Sequence, residues 1–261
     1  MAAKHWTPPQ FSTRFVHVWR RNLLVWRKLA IPSMLGNLAD PLLYMFGLGY
    51  GLGRMLNDVG GMSYIGFLAA GIVCSSTMMS SSFEAMYSAF SRMHVQKTWD
   101  AILNAPLTLD DVVLGELVWA ASKSFLSGSA VLIVAAVLGL VPSPLALAVV
   151  PLIFLTGLAF AAMGLIMTAL SPSYDFFMYY FTLCVTPMML LCGVFFPLNE
   201  LPPAAQMLAQ LLPLTHAVSL ARPLVAGEVP ASWLLHIAVL AAYAVTGFYI
   251  ALAMTRRRLL Q

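Results

Sequence analysis

Charge is what this chain has least of. Lys, Arg, Asp and Glu make up 9% of its 261 residues, against 61% hydrophobic residues, where soluble domains run near about 25% charged and about 45–50% apolar. That deficit excludes a single soluble core as the place where so much apolar surface is hidden. Lipid is the solvent for most of the chain. Cysteine is also scarce: Cys74, Cys184 and Cys192 all fall inside apolar stretches at spacings that match no zinc or disulfide framework, and they read as small core hydrophobes. No phosphate loop of the form G-x-x-x-x-G-K-[S/T] is present, because no Lys follows a Gly, so ATP binding by that route is excluded. No Ser-His-Asp set, paired carboxylates or His cluster stands out. His5, His17, His94, His216 and His236 are scattered, leaving no candidate catalytic or metal-binding residues. A short apolar run ending in a small-residue cleavage site is missing from the N-terminus, which reads as no cleaved signal peptide.

What is present is a pattern of apolar runs and basic loops. Six long runs are expected to be transmembrane helices: Ile31 to Gly53, Tyr64 to Tyr87, Val112 to Leu140, Pro144 to Leu170, Phe176 to Phe196 and Ser232 to Met254. Each exceeds the roughly 20 residues that cross ~30 Å of hydrocarbon. Residues 1–10 read as a loose tail, 11–28 as an amphipathic interfacial helix and 29–261 as one all-α, six-span membrane domain. In the amphipathic stretch Phe11, Phe15, Val18, Trp19, Val25 and Trp26 fall on one side, and Arg14, His17, Arg20, Arg21 and Lys28 on the other. The net charge of +4 arises from basic clusters beside apolar runs, where they set topology and meet anionic headgroups, so it is no nucleic-acid footprint. Eleven of the fourteen basic residues fall on the side that holds both ends of the chain, which places both termini in the cytoplasm. Arg54 and Arg222 fall on the other side and Lys123 inside a span.

Boundaries carry their own signals. Thr108 to Asp111 has the spacing of a capping box, and Ser143-Pro144 and Ser171-Pro172 place a capping hydroxyl before a helix-opening proline. The run Gly47 to Gly53 follows no strand, so its glycines are read as helix-packing positions rather than a nucleotide loop. Asp40 and Lys123 lie within spans and are expensive in hydrocarbon; each is expected to face the interior or a wet cavity, with snorkelling as the alternative for Lys123. The hydroxyls of Cys74 to Ser82, including Ser75, Ser76 and Ser80, suit close helix packing or a polar wall for a hydroxyl-rich substrate. Arg92, His94, Lys97, Trp99, Asp100, Ile102 and Leu103 make a short amphipathic helix ended by Pro106, either lying among headgroups or serving as a docking knob. From Pro197 to Pro223 the chain is too apolar for an aqueous loop and too broken, by Pro202, Pro203 and Pro213, to cross. Two half-helices, Ala204 to Leu212 and Thr215 to Arg222, are expected to form an outer lid.

These residues resemble the NodJ family, the nodulation-factor export permeases among type-2 ABC exporters. The resemblance is carried by LGNLADPLLYMFGLGYGLG (Leu35 to Gly53), FSRMHVQKTWDAILNAPLTLDDVVLGELVWAASK (Phe90 to Lys123), GLAFA (Gly157 to Ala161), TALSPSYDFF (Thr168 to Phe177), LPLTHAVSLARPL (Leu212 to Leu224) and the terminal RRRLL, together nearly the whole chain. It implies a bacterial inner-membrane, multi-pass permease that works as a homodimer with a separate cytoplasmic ATPase resembling NodI, exporting a lipid-linked or acylated oligosaccharide. ATP and magnesium would sit in that partner, with no cofactor on this chain. By the same resemblance Arg92, His94, Lys97, Trp99, Asp100 and Leu103 form the ATPase-coupling helix, and Pro197, Pro202, Pro203, Pro213, His216 and Arg222 the outer gate. Asp40, Ser75, Ser76, Ser80, Lys123 and Tyr179 are candidates for the translocation path. The aromatics Tyr174, Phe176, Phe177, Tyr179 and Tyr180 suit a sugar with an acyl tail, or an ordinary interfacial belt. The rival readings are a drug or antibiotic exporter of the same architecture, an intramembrane lipid-modifying enzyme with Asp40 and Lys123 as its candidate pair, and a structural anchor.

Overall fold

The computed structural model describes residues 6–259 apart from 54, 57, 58 and 60. Lys4, Arg54 and Leu260, which entered the charge and motif arguments, lie outside the described residues. Among those residues the regular structure is helical, with one isolated bridge between Val59 and Met62.

An amphipathic helix, α1 (Phe15–Arg27), opens the fold. It starts at Phe15 rather than Phe11, and it lies on a long helix, α5 (Leu109–Val137). Val18 is seated where a side chain on Gly115 would come within 2.6 Å of it, and Trp19 Nε1 donates to Ser122 Oγ at 3.0 Å. The next helix, α2 (Ala30–Gly51), packs through Gly49 on the long helix that follows it, where a Cβ would meet Ile65 at 2.8 Å. Gly47 and Gly51 meet nothing within 4 Å, so the expected glycine packing face reduces to one position.

The central helix is α3 (Tyr64–Val95), 32 residues long and the most buried of the long helices. Ser63 caps it by accepting from Gly66 N. It runs eight residues beyond the expected end at Tyr87 because two π turns, Glu84–Ser88 and Ser91–Val95, let the helix continue through a polar stretch. Lys97 then adopts a left-handed conformation (φ 49°), and a six-residue helix follows, α4 (Thr98–Leu103). The single helix expected from Arg92 to Leu103 is therefore two pieces joined at a sharp bend.

At the start of α5 the expected capping box is present: Thr108 Oγ1 accepts from Asp111 N at 3.2 Å, and the Asp111 carboxylate accepts from Thr108 N at 3.0 Å. The next long helix, α6 (Pro144–Leu170), has the expected limits, with Ser143 Oγ accepting from Leu145 N. It is sandwiched among α3, α5 and the last helix, α10 (Trp233–Leu259). Small residues permit these approaches: a Cβ on Gly157 would lie 2.3 Å from Ser124 Oγ. Ser171, expected as a helix cap, instead donates to Ser173 O, and the following helix, α7 (Asp175–Leu191), begins four residues later. A π turn at Phe181–Val185 interrupts it. The proline-broken segment folds as two half-helices, α8 (Pro203–Leu211) and α9 (Pro213–Ala226), each opened by the proline whose missing N–H needs no partner there.

Four of these helices, α3, α5, α6 and α10, are long and apolar enough to cross a membrane. Of the two other expected spans, α2 has 22 residues but carries Asn37, Asp40, Pro32 and Pro41, and α7 is apolar but has 17 residues, short of ~30 Å at 1.5 Å per residue.

Candidate functional site

One end of the bundle brings together the segment from Trp6 onward, the start of α5, the end of α10 and a set of charged side chains. Residues 1–5 of the tail lie outside the described residues, but from Trp6 onward it is held, not loose. Gln10 N donates to Asp110 Oδ2 at 2.8 Å, Ser12 Oγ to Asp111 Oδ1 at 2.6 Å, and Arg256 Nη1 to Thr7 O at 2.6 Å. Arg256 also pairs with Asp110 (Nη2 to Oδ2 2.5 Å), so the N-terminal segment, the start of α5 and the end of α10 form one anchor.

Beside it lies a buried charge network that sequence reasoning missed. Glu84, in the first π turn of α3, accepts from Arg92 Nη2 (2.9 Å), Lys123 Nζ (2.7 Å) and Trp119 Nε1 (2.7 Å). Glu116 of α5 accepts from Arg92 Nε (2.9 Å), Arg92 Nη2 (2.5 Å) and Trp99 Nε1 (3.1 Å). Each carboxylate thus receives cationic donors and one indole, the satisfaction that a buried charge requires. The signal was readable in principle: Glu84 to Arg92 and Glu116 to Lys123 are each about two helical turns apart at the same end of two neighbouring antiparallel helices.

The coupling candidates divide accordingly. Trp99, expected on a docking face, is 1% exposed and braces α4 against α5. Arg92 belongs to the buried network, Leu103 packs on the core, and His94, Lys97 and Asp100 are left on the exposed surface. Lys123 is held by Glu84 and does not meet Asp40, so the Asp40–Lys123 pair of the enzyme reading is not formed.

Between α2 and α3 is a cavity of about 170 Å³ lined by Asp40, Tyr44, Ser75, Ser76, Ser80 and Phe83 among others. Four translocation candidates therefore line one cavity, Asp40 from α2 and Ser75, Ser76 and Ser80 from α3, while Lys123 and Tyr179 are elsewhere, Tyr179 being exposed. The hydroxyl-rich stretch is divided between helix packing and the lining of this cavity. Thr77 and Ser81 return their hydroxyls to the helix's own carbonyls on the packed side, and Ser76 Oγ meets Ser127 Oγ at 3.1 Å. Ser80 Oγ is buried beside the cavity with no partner. Of the aromatics on α7, Phe177 is fully buried and stacks edge-on with Tyr87 and Phe90, so it is core rather than sugar platform.

The opposite end carries the proline-broken segment. Pro197 precedes a short turn at Leu198–Glu200, Pro202 and Pro203 open α8, and Pro213 opens α9. Arg222 stacks its guanidinium 3.5 Å above the Phe67 ring and donates to Gly193 O, which fastens α9 to α3 and to the turn after α7. His216 Nε2 lies 2.9 Å from Gln210 O, and its Nδ1 lies 2.8 Å from Nδ1 of His236, a pairing of α9 with α10 that the scattered histidines did not announce. Because a carbonyl only accepts, His216 carries its proton on Nε2 and His236 donates across the pair.

Helices apolar enough to cross a membrane, packed around buried charge and a hydroxyl-lined cavity, fit the membrane subunit of a transporter. The chain belongs to the ABC-2 type transporter family, whose model matches residues 13–226. Within that family it is similar to nodulation protein J of Rhizobium meliloti (strain 1021), 49% identical over 97% of this chain and 96% of that protein. It is equally similar to nodulation protein J of Bradyrhizobium diazoefficiens, 50% identical over 97% of each. The inner membrane transport permease YadH of Escherichia coli K12 is more distant, 24% identical over 77% of this chain and 78% of its own length.

Proposed function

We propose that the chain is the permease half of an exporter that moves a lipid-linked or acylated oligosaccharide, such as a lipo-chitooligosaccharide, outward across the bacterial inner membrane. Six spans would be completed by α2 and α7. Two copies would form a homodimer with two copies of a cytoplasmic ATPase resembling NodI, which supplies ATP and magnesium. Both termini and the α3–α4 bend would face the cytoplasm, and the proline-broken lid the outside.

The observation that carries the reading is the cavity between α2 and α3 that Asp40, Ser75, Ser76 and Ser80 line together with Tyr44 and Phe83. Hydroxyls and a carboxylate suit sugar hydroxyls, and the ring faces suit the apolar side of a sugar or an acyl chain. The relatives named nodulation protein J, similar along nearly their whole length, favour this cargo over a drug. Coupling would pass through His94, Lys97 and Asp100 on the surface, then through Trp99 and Arg92 to Glu116 and Glu84. A push on α4 would therefore move α3 and α5 together.

The test is ATP hydrolysis by the chain co-purified with its co-encoded ATPase. A lipo-chitooligosaccharide should stimulate hydrolysis several-fold, and an oligosaccharide lacking the acyl chain should not. Stimulation by apolar drugs alone would replace the cargo assignment with the drug-exporter reading.

A further inference from the structure

Beneath α1 lies a second polar cavity, about 220 Å³, distinct from the one assigned to export. Arg21 and Asn22 of α1 form one side, and Glu84, Arg92, Trp119 and Lys123 the other. Its cations outnumber the carboxylates that answer them. Arg92 and Lys123 are balanced by the two carboxylates Glu84 and Glu116, which leaves Arg21 as the surplus cation. Arg21 donates only to neutral oxygens, at 2.9 Å to Asn22 Oδ1 and 3.4 Å to Thr98 Oγ1. Burial and the neighbouring Arg92 hold its guanidinium below the ordinary arginine value, the direction an incoming anion would reverse.

Asn22 supplies an independent pointer. It is 3% exposed, its Oδ1 is occupied by Arg21, and its buried Nδ2 has no acceptor among the described residues. A buried amide donor without an acceptor is costly, and it persists where something completes it. The cavity mouth says what carries the acceptor. Val25 and Leu29 line it and are 53% and 64% exposed, so the hollow opens onto bare apolar surface along α1. A free anion gains nothing from that lip, whereas an acyl chain is accommodated by it.

We propose that this hollow binds the phosphate of an anionic phospholipid of the inner leaflet, with its chains along Val25 and Leu29. The phosphate accepts from Asn22 Nδ2 and Arg21 and faces Arg92 and Lys123. This goes beyond the diffuse attraction of surface Lys and Arg for anionic headgroups, because the donors are built into one cavity. A lipid seated there bridges α1 to the charge network and loosens the network when it leaves. The inference does not depend on the identity of the cargo.

Native mass spectrometry of the delipidated full chain in detergent tests it. At matched concentrations phosphatidylglycerol should remain bound at least tenfold more tightly than phosphatidylcholine, and millimolar inorganic phosphate should not displace it. Arg21→Gln should abolish that preference, while Arg20→Gln, at an exposed neighbour on the same helix, should preserve it. Asn22→Asp supplies the missing negative charge from within, so it should fold, pair with Arg21 and lose phosphatidylglycerol binding even if Arg21→Gln proves unstable. Equal losses in Arg20→Gln and Arg21→Gln would reduce the effect to surface charge and overturn the site. Displacement by inorganic phosphate would overturn the lipid as its occupant, and retained binding in Asn22→Asp would overturn the pocket.

Discussion

Replacing Glu116 with Gln asks how tightly α4 is tied to the spans. The side chain is 1% exposed and accepts three hydrogen bonds, two from Arg92 and one from Trp99. Glutamine keeps the shape but has one acceptor oxygen, so if that oxygen serves Arg92 Nε and Trp99, its amide nitrogen points a donor at Arg92 Nη2. One charge-assisted bond is lost, at about 1.5–3 kcal/mol, and Arg92 keeps only Glu84. Breaking a buried pair by removing one partner costs about 3–5 kcal/mol, and the surviving Glu84 contact at 2.9 Å places this variant at the lower end. A loss of about 3 kcal/mol is roughly a 150-fold shift in the unfolding equilibrium. Trp99→Phe removes the indole donor and leaves a smaller ring in a fully buried site, so it should cost about 2–4 kcal/mol. Because Glu116→Gln turns the acceptor of the Trp99 bond from a charged into a neutral one, the double variant should fall short of the sum by about 1 kcal/mol. Denaturant unfolding of the purified chain in detergent, followed by far-ultraviolet circular dichroism, reads all three. A Glu116→Gln variant within about 0.5 kcal/mol of wild type, or strict additivity in the double variant, would refute the brace.

Three further outcomes follow from the geometry. With the native cysteines replaced, a cysteine at Glu200 should react with an impermeant maleimide in intact cells and one at Lys97 should not; labelling at 97 would reverse the orientation. Gly157→Ala would set a Cβ 2.3 Å from Ser124 Oγ and 3.2 Å from Ala121 Cα, so it should destabilise by about 1–3 kcal/mol in the same unfolding assay, and a neutral effect would mean α5 and α6 are not so close. Crosslinking a cysteine at Gln206 in α8 to one on a neighbouring helix should stop export while the ATPase still binds ATP, whereas undiminished export would make the lid a static cap.

How much of this was legible beforehand varies with the range of the cause. Capping is local, so Thr108 with Asp111 and Ser143 with Pro144 announced the starts of α5 and α6 in neighbouring letters. The two half-helices were legible because Pro202, Pro203 and Pro213 forbid a continuous helix wherever they are placed. The run-on of α3 past Tyr87 was not. Ser88, Ser91, Arg92 and His94 end the apolar pattern, and the π turns that carry the helix through them are stabilised by partners on other helices. The same holds for Glu84 and Glu116, which are awkward within their own spans and make sense only once α3 and α5 are set side by side. Trp99 was read as a knob because amphipathicity shows that a face is buried but not against what. Tertiary contacts also held Trp6 to Gln10, where prolines and a lack of periodicity suggested a loose tail.

The central claim is that an acylated oligosaccharide passes the cavity of Asp40, Ser75, Ser76 and Ser80 under the drive of a partner ATPase. Proteoliposomes holding the chain with that ATPase, given ATP on the cytoplasmic face and a labelled lipo-chitooligosaccharide in that leaflet, measure it directly. Wild type should move the label across in an ATP-dependent manner, and Ser80→Phe, which fills the cavity wall, should slow it at least tenfold with ATP binding unchanged. Equal movement by Ser80→Phe, or none by wild type beside a competent ATPase, would contradict the account.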